Sequence, residues 1–481
     1  LFASFCTKQF GARSLFGLLL AIVTLGLTSC GQNLYKFPQF TFANRPIPPS
    51  LLANRVMVGV SFNGAQGSLA ILDANRDIRS NVQDTIKTFS ISGFSAGFPG
   101  QIFNFPEQTR GYVYADSDGS LTMIDYSKEA TGGSAGTFVA KNTAVALSET
   151  FTRVVAALQS LGEIAVIDNA TGLSYFLQLP NVQNISINQG GTVILATVRN
   201  SNLLYRVLKL NTNAPVPPGA IDCQPYNLPV YCVVPVPGTY DRPIGASFSL
   251  DGATAYVLNC GPECGGATAS VSYLQQGALT IDVIPTSTPY PSPVTANVPV
   301  PGGVTTALSD GTTLYVAGQQ LQPDGLFAGT LSTISLATNT VTGKYSISDG
   351  NHSKLLFADD NTLWIGSQFC ATGERAKLGQ NYNCLTRFDL GAKTASIIPA
   401  VTLGSATATV PYPNADNNLY YYGSLTGLCW VQNKHKVYTA YGGQVHAFNT
   451  ADGSEINNTN ITVQGTALDV AYMDAITNAA N

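Results

Sequence analysis

What most constrains this chain of 481 residues is a strand–turn–strand unit that returns along its length. The clearest copy runs Ala246-Ser-Phe-Ser-Leu-Asp-Gly-Ala-Thr-Ala-Tyr-Val-Leu-Asn259, two strand-like runs joined at Asp251-Gly252. Residues 307–317 repeat it around Asp310-Gly311, and residues 101–114 form a looser copy without the Asp-Gly. A following strand recurs as Leu121–Asp125, Ile164–Asp168 and Leu331–Leu336. Strand runs joined by Asp-Gly are a strong short-range hairpin signal, because the turn needs positive φ angles that these residues reach at low cost. No convincing amphipathic helix lies in the repeat region.

Aligned on the second strand of each unit, eight copies anchor near Val58, Val113, Val154, Ile194, Val257, Val316, Ile365 and Tyr438. The shortest gaps are 41 and 40 residues, from Val113 to Val154 and on to Ile194. That is close to the period of a four-stranded propeller blade. Longer gaps coincide with insertions at 211–241, 285–293, 370–384 and 398–420. The expected fold is all-β: one propeller of four-stranded blades, eight in number, or seven if one hairpin decorates a neighbouring blade. The first hairpin, Val56–Val60 into Ser68–Asp73, lacks a strand before it, and Thr466–Met473 lacks a hairpin after it. Paired, they close the ring and remove its open edges. The propeller is placed at 54–475, with a short tail at 476–481.

The copies at 249–257, 309–317 and 166–172 resemble the YVTN-type β-propeller repeat, related in outline to surface-layer and lactonase-like propellers. The resemblance covers most of 54–475. It is weakest in the fourth unit, which has no Asp-Gly, and in the insertions. It implies the propeller fold, and it leaves function open, since one fold hosts many activities.

The segment Leu15–Cys30, LFGLLLAIVTLGLTSC, follows Lys8 and Arg13 and contains no acid. It is shorter than the ~20 apolar residues of a comfortable membrane span, and it ends in small residues, as an export signal does. Leu27-Thr-Ser-Cys30 resembles the lipobox of bacterial lipoproteins. That resemblance implies cleavage between Ser29 and Cys30, removal of residues 1–29, and diacylglycerol on the Cys30 thiol. A single acyl chain binds a membrane only marginally, so multiple chains would do the anchoring. Gly31 after Cys30, rather than Asp, resembles lipoproteins sent to the outer membrane. Residues 30–53 then read as a Pro-rich tether. The membrane, through this anchor, is one expected partner.

Charged residues make up only 11% of the chain, while Gly (46), Pro (26), Tyr (22) and Phe (22) are plentiful. This is an ordered, turn-rich, β-leaning composition. The formal net charge of −4 becomes −6 when Lys8 and Arg13 leave with the leader, and no basic run exists, which argues against a nucleic-acid partner. Three cysteine pairs are close in sequence within loop-like stretches: Cys223 with Cys232, Cys260 with Cys264, Cys370 with Cys384. In an exported protein they read as local disulfides. Cys429 is left over as a buried thiol. With only three histidines, a metal site is not expected, and no cofactor is implied.

Few residues suggest chemistry. Asp116-Ser-Asp118-Gly119 and Asp359-Asp360-Asn361 admit a calcium reading, but both fall where the repeat places a turn. Asp125 and Asp168 end matching strands and are expected to accept bonds from the following turn. His352 is placed where loops line the central channel and is the best lone general-base candidate. His435 is expected on an exposed turn, and His446 in a strand with one face open to water. Gly93-Phe-Ser-Ala-Gly97 and Gly132-Gly-Ser-Ala-Gly136 match a nucleophile elbow by letter, but neither opens a helix, so both read as loops. Tyr420, Tyr421 and Tyr422, together with His352, are read as a contact surface for a glycan or peptide.

The expected function is a non-enzymatic scaffold that binds an envelope protein, a peptide or a glycan. The alternatives are a lactonase-like hydrolase working in the channel and a purely structural envelope protein.

Overall fold

The computed structural model describes Phe42 and residues 45–476, except 63–65, 82–86, 106, 139–141, 213–214, 226–227, 286–289, 322, 324–326, 371–382, 399–422 and 457–460. Cys30 and Ser29, the leader, Tyr420–Tyr422 and the 477–481 tail lie outside the described residues.

The described residues of 47–476 form a β-propeller of eight antiparallel blades. Blades 2, 3, 5, 6 and 7 are four-stranded meanders. They begin on the inner strands Pro99–Asn104, Thr143–Leu147, Pro243–Phe248, Gly303–Ser309 and Asn351–Ala358. Blade 8 has Leu425–Val431, Lys436–Tyr441 and Gln444–Asn449, extended by an Ile456 N–H bond to the Ala447 carbonyl. All eight anchor residues fall on second strands of blades. Two four-residue 3-10 turns, Gly261–Cys264 and Gln276–Leu279, are the helical elements among the described residues.

Blade 4 departs from the expected pattern. Its inner three strands are Val182–Ile187, Ile194–Val198 and Leu204–Leu210. The fourth and fifth are Val230–Pro235 and Asp222–Gln224, inside what reads as a loop insertion in the sequence. Cys223 and Cys232 are therefore cross-strand partners rather than loop cysteines, and they are disulfide-bonded. Cys260–Cys264 and Cys370–Cys384 are bonded as well, and Cys429 is free and buried.

Blade 1 is assembled from both ends of the described chain. Thr466–Tyr472 is its inner strand and pairs with Arg55–Phe62, which pairs with Gln66–Asp73. Residues 89–91 add an outer rung through Ile71 N–H to the Phe89 carbonyl and Ile91 N–H to the Leu69 carbonyl. Beside this seam the buried Arg55 guanidinium bonds Asp474 (2.7 Å) and Glu129 (3.0 Å). Ser50 caps Glu129 from the other side. Burial alone would lower the Arg55 pKa, but Asp474 and Glu129 outweigh it and hold the group above its usual value.

The core is divided among the blade junctions. Strand alternation sends one set of side chains to each sheet face. An apolar layer fills each of the eight junctions, from Val155 against Ile194 between blades 3 and 4 to Val58 and Cys429 between blades 1 and 8. A layer at every junction makes the ring continuous.

Candidate functional site

The axis of the ring is built from the inner strands, and a shared irregularity shapes it. Register slips by one residue, as in a β-bulge, at Gly100, Gln183, Ile244, Thr305, Ser353 and Thr426. Leu468 makes the seventh, on the inner strand of blade 1. A bulge bends the strand and re-aims the side chains after it. The residues after the bulge include Gln101, Asn184, Gly245, Thr306, Lys354, Gly427 and Asp469.

These residues meet from blade to blade. The Asn184 amide donates to the Ile244 carbonyl (3.0 Å), close against Gly245. Lys354 of blade 7 reaches past blade 8 to Asp469 of blade 1 (3.3 Å). It can do so because Gly427 lies between them, where a Cβ would stand 2.6 Å from the Asp469 carboxylate. Asp469 also accepts the Ile102 N–H of blade 2 (2.8 Å). Burial pushes the Asp469 pKa up, against the opposing pull of Lys354. These contacts tie three blades together on the inner strands.

At one end of the axis the inner strands of blades 3 to 7 open into a funnel of about 760 Å³. Its wall carries the amides of Gln159, Gln183, Asn184, Gln319 and Asn351, the hydroxyls of Ser186, Thr305, Thr306 and Ser353, and the ring of Phe327. Phe327 is 40% exposed. The Cys260–Cys264 disulfide closes a four-residue turn that carries Glu263 into the same wall. Glu263 accepts the Leu321 N–H weakly (3.4 Å) through Oε1, and its Oε2 has no partner among the described residues. Sequence reasoning missed Glu263. Its only signal is its place inside the short Cys-Gly-Pro-Glu-Cys loop.

His352 borders the funnel but is 1% exposed. It holds the residue position just before the bulge, where other blades carry Pro99, Val182, Pro243, Val304, Leu425 and Ala467. Those residues are buried, so His352 occupies a core position rather than an open channel wall. Its Nε2 lies 2.7 Å from the Ser348 carbonyl, and Nδ1 has no partner among the described residues. Burial pushes its pKa down to about 4, so the ring is neutral at pH 7.

The other sequence candidates resolve into turns and core. Asp118 accepts the Ser120 N–H (3.0 Å), Asp125 the Ser127 N–H (3.0 Å), and Asp168 the Ala170 N–H (3.1 Å). Asp360 and Asn361 both have positive φ, the conformation of a tight hairpin turn. His435 sits on an exposed turn beside Asp360 (2.9 Å), which raises its pKa. His446 does not have a wet face: it is 4% exposed and bonded to Glu455 (2.7 Å). Gly93–Gly97 is irregular, whereas 132–136 lies in the outer strand Ala130–Thr137 of blade 2 rather than in a loop. Neither opens a helix.

No protein-family model matches the chain, and no curated protein does. Among solved structures it is similar to a Kuenenia stuttgartiensis hydrazine synthase, at 15% identity, 75% of this chain and 98% of that one, with a TM-score of 0.46. It is similar to the dihydro-heme d1 dehydrogenase NirN at 12% identity, 88% and 75% coverage, TM-score 0.49. A putative 6-phosphogluconolactonase from Bacteroides uniformis follows at 11% identity, 87% and 99% coverage, TM-score 0.43.

Proposed function

We propose that this chain is a lipid-anchored envelope protein whose propeller, built on YVTN-type repeats, is a non-enzymatic binding scaffold, and that the funnel takes a neutral glycan. The observation that carries the reading is the funnel's lining. Amides and hydroxyls both donate and accept, as the alternating hydroxyls of a sugar require. An exposed aromatic ring supplies an apolar face of the kind that sugars stack on. Among the described residues of the lining, only Glu263 and His352 can titrate. With His352 buried and neutral, no acid–base pair is assembled there for lactone hydrolysis. Tyr420, Tyr421 and Tyr422 are proposed as a further part of the binding surface.

Glycan-array screening followed by calorimetry tests this. The expected result is saturable binding of an uncharged oligosaccharide, weakened at least tenfold by Phe327→Ala or Asn351→Ala, with no turnover. Lactone turnover that disappears in Glu263→Gln would replace this reading with the hydrolase. The anchor is tested separately: Cys30→Ser should lose palmitate labelling and membrane retention, and continued labelling would refute lipidation.

A further inference from the structure

Two arginines are buried among the described residues, and they are treated differently. Arg55 is surrounded by Asp474 and Glu129. Arg206, 6% exposed, has no carboxylate partner among the described residues. It stands on the third strand of blade 4, where alternation places it on the same face as Leu204, in the apolar layer against blade 5. Its Nη1 donates to the Ala278 carbonyl (2.6 Å). No described group takes the remaining guanidinium N–H groups. Burial pushes the group down to about 10, so it is still charged at neutral pH. A cation enclosed this far, with a single carbonyl as acceptor, favours an anion that can reach its remaining N–H groups.

The surroundings of Arg206 form a small chamber. The described residues of 276–293, between the third and fourth strands of blade 5, fold back over blade 4. They are held there by Lys209 N–H to the Ile281 carbonyl and Ile281 N–H to the Thr192 carbonyl, both 2.7 Å. A cavity of about 220 Å³ lies beneath, walled by Arg206, Val236, Leu279, Ile284, Tyr290 and Pro293. Apart from the Arg206 guanidinium and the Tyr290 hydroxyl, which bonds the Pro218 carbonyl, the side chains of these walls are apolar. The chamber is smaller than a drug-sized pocket of ~300–1,000 Å³.

We propose that this chamber binds a small monocarboxylate with a compact apolar body, its carboxylate on the free edge of the Arg206 guanidinium. A planar fork of N–H donors matches a carboxylate in two parallel bonds. The apolar walls suit an aromatic or branched body. A phosphate would need more donors than this single cation supplies. The site lies between blades 4 and 5 and is independent of the funnel.

The test is calorimetry on the full chain in detergent with phenylacetate and its uncharged isostere phenylacetamide. Phenylacetate is expected to bind at one site, at least tenfold tighter than the amide. Arg206→Gln should weaken phenylacetate at least tenfold and leave the amide unchanged. Equal affinity for acid and amide, absence of saturable phenylacetate binding, or a Gln variant that binds like the parent would each overturn the proposal. If Arg206→Gln does not fold, the acid-to-amide ratio in the parent protein decides.

Discussion

His352 shows how a side chain's meaning depends on its register. A histidine beside a channel reads as a base, yet here it fills a core position that Val182 and Val304 fill in other blades. A histidine kept neutral by burial couples stability to acid. The folded pKa of about 4 lies below the usual 6.5, so its contribution is complete above pH 6.5 and is lost as pH falls toward 4. A shift of this size corresponds to about 3 kcal/mol. His352→Val should therefore flatten the stability profile between pH 6.5 and 4, measured by urea unfolding at a series of pH values. A variant that kept the parent's slope would place the titration elsewhere. The same principle governs Cys429, whose thiol is pushed up by complete burial and should resist alkylating reagents until the ring unfolds.

Strands in this protein are specified by their turns and modified by their bulges. Asp251 accepts the Ala253 N–H (2.9 Å), and Asp310 accepts the N–H groups of Thr312 and Thr313 (2.8 and 2.7 Å). The Asp-Gly signal thus works through a side chain that satisfies the turn's own backbone. The bulges have no such letter signature, since Gly, Gln, Ile, Thr, Ser and Leu all occupy them. What they accomplish is visible at Gly427, which leaves room for Lys354 to reach Asp469. Gly427→Val would press a branched side chain onto the Asp469 backbone and carboxylate. The expected cost is about 1–3 kcal/mol, together with loss of the Lys354–Asp469 contact. Urea unfolding measures the first, and an unchanged midpoint would mean that the ring can open there without strain.

Closure is a property of the whole ring. Each blade has two neighbours only because blade 1 takes its inner strand from Thr466–Tyr472, more than 390 residues beyond its second strand. The Arg55–Asp474–Glu129 network sits on this seam and binds the two chain segments to blade 2. Removing 466–481 would strip blade 1 of its inner strand, expose the strand Arg55–Phe62, and uncover the apolar layers on both sides. The product is expected to elute as soluble aggregate in size-exclusion chromatography. A monomer with the parent's melting temperature would show that the seam is dispensable.

Periodicity along the chain is enough to reveal the fold class, the eight second strands and the turn roles of Asp118, Asp125, Asp168 and Asp360, and close cysteine spacing points to the three disulfides. All of these are local: a hairpin and a short disulfide loop are written within a few dozen residues. The fifth strand of blade 4 was hidden because Pro-rich flanks mask a short strand pair. Where side chains finally stand was decided only by the tertiary structure. The burial of His352, the funnel from blades 3 to 7, and the isolation of Arg206 each depend on which residues of distant blades come to face one another. A sequence records spacing within a strand, but the bulges, the ring closure and the fold-back at Ile281 set the spacing between strands, and it is between strands that a site is made.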